Sequence, residues 1–167
     1  ESANHDDLAR FMMERGIVSQ IQSAGHQVAD TTSQLLTTAM GLIGVPYRRG
    51  GTSAETGFDC SGFVRAIYQK TAGLTLPRRS AEQAAATEKI QKQELKPGDL
   101  VFFNTMRRAF SHVGIYVGEG KFIHAPRTGA AVRVESMESS YWAKRFNGAR
   151  RVDTQDNNTF AALSAQN

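Results

Sequence analysis

The 167-residue chain has the size of one domain, and with 40% hydrophobic and 22% charged residues it can bury a core, which argues against wholesale disorder. Its net charge of +4 is mild, and its arginines fall in scattered pairs such as Arg48-Arg49, Arg78-Arg79, Arg107-Arg108 and Arg150-Arg151, so no nucleic-acid partner is expected. A single cysteine excludes an internal disulfide and a Cys-rich zinc site, and no apolar run approaches the roughly 18 residues of a membrane span. No charged n-region and apolar h-region opens the chain, as in a processed secreted protein and equally in a cytosolic one.

Residues 1–30 are polar, with weak helical periodicity in Leu8, Phe11, Met12, Ile17 and Ile21, and read as a helical extension. Thr31-Thr32-Ser33 offers N-cap hydroxyls for an apolar helix through Leu35, Leu36, Ala39, Met40, Leu42 and Ile43, which Gly44 and Pro46 end. After a glycine-rich loop, Phe63, Val64 and Ile67 share one face of a second helix, which begins near Cys60 and stops at Gly73. Ser80 is placed to cap a helix from Ala81 to about Lys89.

From Leu95 the pattern changes to strands. Leu100–Phe103 is a short apolar strand, His112–Val117 alternates, and Lys121–Ala125 returns across a turn at Gly118-Glu119-Gly120. Ala131–Val134 reads as another strand, Ser139–Phe146 as a short helical piece, and Arg150–Val152 as a closing strand segment. Residues 153–167 read as a polar tail that is expected to be flexible. Helices first and antiparallel strands second predict an α+β fold with N-terminal helices packed on a central antiparallel sheet.

The lone cysteine lies in Gly57-Phe58-Asp59-Cys60-Ser61-Gly62-Phe63-Val64, at a helix N-terminus. Unpaired N–H groups and the positive dipole end there favour thiolate over thiol, so the thiol pKa is expected below its free value of about 8.5. From this octapeptide alone, a buried structural cysteine and a nucleophile fit equally well. A nucleophilic thiol needs a base and a group that orients the base, and His112 and His124 fall in adjacent hairpin strands. A three-residue loop, Gly118 to Gly120, would set Gly114 opposite His124 and put both rings on one face. A two-residue Glu119-Gly120 loop would put them on opposite faces. The apolar pattern prefers the first register, because Val113, Ile115, Ile123 and Ala125 then form one face. The histidine face is expected to pack on the Cys60 helix.

Taken together, Tyr47-Arg48-Arg49-Gly50-Gly51, the Cys60 octapeptide, Leu76-Pro77-Arg78, Pro97–Phe103, His112–Tyr116 and Phe122–Ala125 closely resemble the NlpC family of papain-like cysteine peptidases, over about residues 32–152. The ending Tyr141–Val152 looks like the Spr-type murein endopeptidase branch. The resemblance implies a catalytic domain over 31–152, with Cys60 as nucleophile, His112 as base and His124 as the orienting residue. It places Tyr47 beside the thiol near the developing oxyanion, with Asp59 and Ser61 shaping the substrate pocket. For Asp59, helix capping is an equal alternative.

The implied activity is a cysteine endopeptidase acting on bacterial cell-wall stem peptides or their crosslinks, D-Ala–diaminopimelate or γ-D-Glu–diaminopimelate, through a thioacyl intermediate. It needs no metal and no cofactor. Such an enzyme is expected to be a periplasmic or secreted monomer, its signal peptide removed, that relies on its own surface or on an adaptor or wall-binding partner for targeting. An acyltransferase on the same Cys/His scaffold, and a non-catalytic wall-binding protein, are the alternatives. The polar loops speak against the first, and the intact Cys60, His112 and His124 against the second.

Overall fold

The computed structural model describes residues 26–154, and the side chains of 31–154. The expected extension over 1–25 and the tail beyond 154 lie outside the described residues. The first described helix, α1, spans His26–Met40 and so runs across the boundary expected between residues 30 and 31. Thr31, Thr32 and Ser33 lie inside it rather than at its cap. Their weak helix propensity costs only tenths of a kcal/mol each, whereas Leu35, Leu36, Ala39 and Met40 are all buried on the core side. Packing decides where this helix lies.

A small hairpin of β1 (Thr52–Ser53) and β2 (Gly57–Phe58) leads into α2 (Cys60–Ala72). Asp59 caps α2: its carboxylate accepts the Gly62 N–H at 2.7 Å. Gly73, left-handed at φ 67°, closes the far end, donating its N–H to Gln69. Between the caps, Phe63, Val64, Ile67 and Tyr68 form the buried stripe.

Helix α3 covers only Ser80–Ala85, shorter than the expected run to Lys89. Glu88–Ile90 is instead strand β3, paired with the last strand of the chain. The Arg150 guanidinium donates to the Ala84 carbonyl at 3.1 Å and ends the helix there. Ser80 does not cap it, because its hydroxyl donates to the Phe110 carbonyl at 2.7 Å.

The remaining strands are β4 (Leu100–Phe103), β5 (His112–Gly118), β6 (Lys121–His124), β7 (Arg133–Ser136) and β8 (Phe146–Arg151), with α4 (Ser140–Arg145) before β8. They form a six-stranded antiparallel sheet in the order β3-β8-β4-β5-β6-β7. The architecture is α+β, as expected, but the C-terminal strand is longer than its expected segment and lies inside the sheet. No helix among the described residues is long and apolar enough to cross a membrane.

The two sheet faces differ in content. Leu100, Phe102, Val113, Ile115, Ile123 and Ala125 share a core with Phe63, Val64 and Ile67 of α2 and with α1. Val101, Phe103 and Phe122 point the other way and pack with Met137 and Trp142. The Cys60 helix therefore covers the apolar face and not the histidine face, which corrects the expectation above. An apolar helix stripe finds an apolar surface there, whereas the other face would have set two imidazoles against Phe63 and Val64.

Candidate active site

The hairpin β5–β6 combines features of both registers. Gly118 pairs with Lys121, leaving Glu119-Gly120 as a two-residue turn, while Tyr116 pairs with Phe122 and Ile115 with Ile123. The odd residue is absorbed as a bulge at Val117. Glu119 and Gly120 both have positive φ, 54° and 72°, as a tight hairpin turn of type I′ requires. The Tyr116 hydroxyl accepts the Gly120 N–H at 3.0 Å and pins this turn. The bulge restores the parity that a two-residue turn would have lost, so His112 and His124 share one face.

On that face the two rings meet edge to face, and Nε2 of His112 lies 2.7 Å from Nδ1 of His124. Both are buried, at 3% and 0% exposure. Gly114 lies between them along β5. A Cβ there would come within 2.7 Å of the Phe122 ring and 3.1 Å of the His124 Cβ, so a side chain at 114 would push His124 from its place. Trp142 stacks on His112 with ring centroids 5.3 Å apart and meets His124 edge-on at 5.0 Å.

A cleft of about 590 Å³ is lined by Tyr47, Cys60, Ser111, His112, Tyr141 and Trp142, with Arg49, Arg127 and Arg133 among its other residues. Cys60 is partly exposed at the start of α2, its Sγ 4.0 Å from the Ser111 carbonyl. Because β5 begins just after Ser111, the helix start and the strand start bring Cys60 and His112 to one cleft. With Nε2 of His112 engaged by His124, Nδ1 is the ring nitrogen left for it.

Tyr47 reaches the cleft because its strand-like segment bridges to Phe58, two residues before Cys60. Burial, then the negative charge of an ionised Cys60 or Asp59, raises the Tyr47 phenol above its ordinary range. It is a proton donor at neutral pH.

Asp59 and Ser61 are not among the residues that line this cleft. Arg78 holds them instead, with a two-pronged contact to Asp59 at 3.0 and 2.8 Å and a bond to the Ser61 hydroxyl at 3.0 Å. This contact raises the Arg78 pKa further. Gln83 adds a bond from its amide to the Ser61 carbonyl at 3.1 Å. The first turn of α2 is thus clamped from two sides.

The ionisation of the thiol runs against expectation. Burial pushes the Cys60 thiol up to about 11. The backbone N–H of Val113 opposes this, Asp59 adds to it, and the N–H groups of Ser61 and Cys60 oppose it. The helix start is too weak to outweigh the lost hydration. Burial likewise lowers His112 well below its ordinary value, as does the neighbouring His124, while Glu135 opposes. Both shifts favour a thiol beside a neutral imidazole at neutral pH. A nucleophilic Cys60 loses the support of a preformed thiolate and depends on His112 to take its proton as it attacks.

Residues that the sequence reading left out surround the pair. Glu135 accepts from His124 Nε2 at 2.6 Å, Arg133 at 3.1 Å and the Trp142 indole at 3.2 Å. Burial raises its carboxyl, but the bonds from His124 and Trp142, the His124 charge and the Arg133 bond outweigh it and hold the pKa at about 2. Glu135 is two residues from Arg133, the partner of His124 in the ladder, and it is this β6–β7 pairing, absent from any local sequence signal, that brings it to His124. Among the described residues, no cluster of three or more His, Cys, Asp or Glu side chains is arranged to hold a metal ion.

Residues 44–151 match the family model for the NlpC/P60 family. The chain is 44% identical over 131 residues to the murein DD-endopeptidase MepH of Escherichia coli, an alignment covering 77% of this chain and 48% of that protein. It is 45% identical over 112 residues to a γ-DL-glutamyl hydrolase of Bacillus subtilis, covering 66% of this chain and 27% of that one. The chain thus spans about half the length of one relative and about a quarter of the other. Among solved structures, the NlpC/p60 domain of the peptidoglycan hydrolase SagA matches with a TM-score of 0.62 and 34% identity, over 72% of this chain and 98% of that one. With the family's sequence pattern and its fold both present, this chain belongs to the NlpC/P60 family.

Proposed function

We propose that this chain is a cysteine endopeptidase of bacterial peptidoglycan. One observation carries the reading: Cys60, at a capped helix start, and His112, bonded to His124 at 2.7 Å, line the same cleft. The relatives supply the substrate class, since the names of MepH and SagA speak of murein and peptidoglycan.

In this reading His112 Nδ1 takes the Cys60 proton as sulfur attacks the carbonyl carbon of a stem-peptide amide. The carbonyl oxygen gains the negative charge and is stabilised by the Tyr47 hydroxyl and the N–H groups at the start of α2. His112 then gives its proton to the leaving amine, and water, deprotonated by the same ring, releases the acyl group from sulfur. His124 holds the His112 ring. Asp59 and Ser61, fixed by Arg78, hold the first turn of α2 and with it the position of Cys60. No metal or cofactor enters these steps.

The scissile bond is D-Ala–diaminopimelate or γ-D-Glu–diaminopimelate. Both remain in the proposal because the name of one relative speaks of a murein DD-endopeptidase and that of another of a γ-glutamyl bond. We place the enzyme in the periplasm or outside the cell, acting as a monomer on stem peptides, with an adaptor or wall-binding partner for targeting. The test is digestion of purified peptidoglycan with mass spectrometry of the released muropeptides. New free amines on diaminopimelate, absent with Cys60→Ser, support the reading, and the fragment masses identify the bond: crosslinked dimers resolved into monomers for D-Ala–diaminopimelate, stems cut after γ-D-Glu for γ-D-Glu–diaminopimelate. An undigested wall, with folded protein, refutes it.

A further inference from the structure

Glu135 has two carboxylate oxygens and three donors around it. Oε2 takes His124 Nε2 at 2.6 Å and Arg133 Nε at 3.1 Å, and Oε1 takes Trp142 Nε1 at 3.2 Å. An ionised carboxylate has no proton to give, so the ring proton of His124 must sit on Nε2. A neutral His124 is then bare at Nδ1 and can only accept there. Its partner across 2.7 Å, Nε2 of His112, must therefore carry the His112 proton. That leaves Nδ1 of His112 bare, the state a base needs to receive a proton from a thiol. One fixed charge thus sets the protonation of two rings in series.

We infer that Glu135 is a positioning residue, which sets the tautomers of His124 and His112, so that the working unit is Cys60–His112–His124–Glu135. The inference rests on the catalytic reading above and extends it by one residue. The surroundings exclude an amide as a substitute. Glutamine at 135 would turn an NH2 group either toward the Trp142 indole or toward His124 and the Arg133 guanidinium. The first choice sets two donors against each other. The second does the same at Arg133 and forces His124 Nε2 to accept, which moves the His124 proton to Nδ1 and reverses the chain.

The titratable and charged groups facing His124 are His112 from β5 and Arg133 and Glu135 from β7, while Phe122 and Trp142 enclose it with their rings. Burial lowers the His124 pKa, Glu135 pulls it up and Arg133 pulls it down. Removing the carboxylate removes an upward pull on both histidines. The acid limb of kcat/KM should then move to lower pH.

The test combines kinetics on soluble muropeptides with nitrogen NMR of the histidine rings. Glu135→Gln should lower kcat about 10- to 100-fold, with KM within about twofold of the parent, and shift the acid limb downward. Glu135→Asp should recover part of the rate. In the unmodified protein, both histidines should carry their proton on Nε2. Glu135→Gln should mix or reverse that pattern at His124. Wild-type kcat and ring spectra in Glu135→Gln overturn the inference, as do Nδ1-protonated rings in the unmodified protein or a loss confined to KM. If Glu135→Gln does not fold, the unmodified spectrum decides alone. The two levels separate: turnover that survives Cys60→Ser sinks the catalytic reading, whereas a dead Cys60→Ser beside an unaffected Glu135→Gln sinks only the role of Glu135.

Discussion

The two faces of the sheet are built from the same strands yet solve different problems. Val113 and Ile115 of β5 face the core shared with Phe63, Val64 and Ile67 of α2. His112, one residue away, faces Phe103, Trp142 and His124. On the first face the buried side chains of β4 to β6 are apolar, and stability comes mainly from area removed from water. On the second, three polar side chains are wrapped by aromatic rings. Their burial is tolerated because each hydrogen bond leads to another: His112 to His124, and His124 to Glu135. This fold separates what holds it together from what could react, with one backbone ladder between.

The largest losses of activity are expected at the histidine face and the thiol beside it. Cys60→Ser and His112→Ala should each cost at least about 10³-fold in turnover; Cys60→Ser should keep a melting temperature close to the parent, whereas His112→Ala should lower it, because the buried His124 Nδ1 loses its partner. His124→Gln should retain measurable activity, because an amide oxygen can accept the bond from His112, and His124→Ala should fall between. If His124→Gln is as inactive as His112→Ala while still folded, His124 has a direct chemical role.

A substitution on the helix side should do the opposite. Ile67, 1% exposed, lies about two turns into α2, away from the cleft. Ile67→Ala should lose about 2–5 kcal/mol of stability while kcat per folded molecule stays at the parent value. Urea denaturation beside active-site titration checks both halves, and a matched fall in kcat would show that the two faces are not separable.

Alkylation of Cys60 by a neutral reagent should keep accelerating with pH up to about 11. A rate already at its plateau near pH 7 would restore the preformed thiolate.

The gentlest effect is on stability against pH. His112 and His124 have folded pKa values below their ordinary 6.5, so below that pH the unfolded chain binds more protons and stability falls. Glu135, held at about 2 against an ordinary 4.5, adds stability above its unfolded pKa that is lost as pH falls toward 2. Both act in one direction. The denaturation midpoint should decline from pH 7 to 5 and more steeply below 4.5. A midpoint flat over that range would mean that the histidine face opens easily to water.

Much of this was legible in the residues alone. The start and stop of α2 and the strands β4 to β6 follow from signals confined to a few neighbours: a capping Asp59, a left-handed Gly73, period-two alternation, a Gly118-Glu119-Gly120 turn signal. Such signals are written in sequence because their physics is local. The shared face of the two histidines, expected from a three-residue loop, is reached instead through a two-residue turn and a bulge at Val117. What lay beyond reach involved partners far apart in the chain. Glu88–Ile90 is a strand because β8, some sixty residues later, needs an edge. Glu135 matters because β7 lies beside β6. Thr31 to Ser33 are helical because Leu35 and Leu36 pack. The Cys60 thiol is pushed up because protein replaces water around it, against the pull of the helix start. Strand order and burial are properties of the assembled core, and only the tertiary structure decides them.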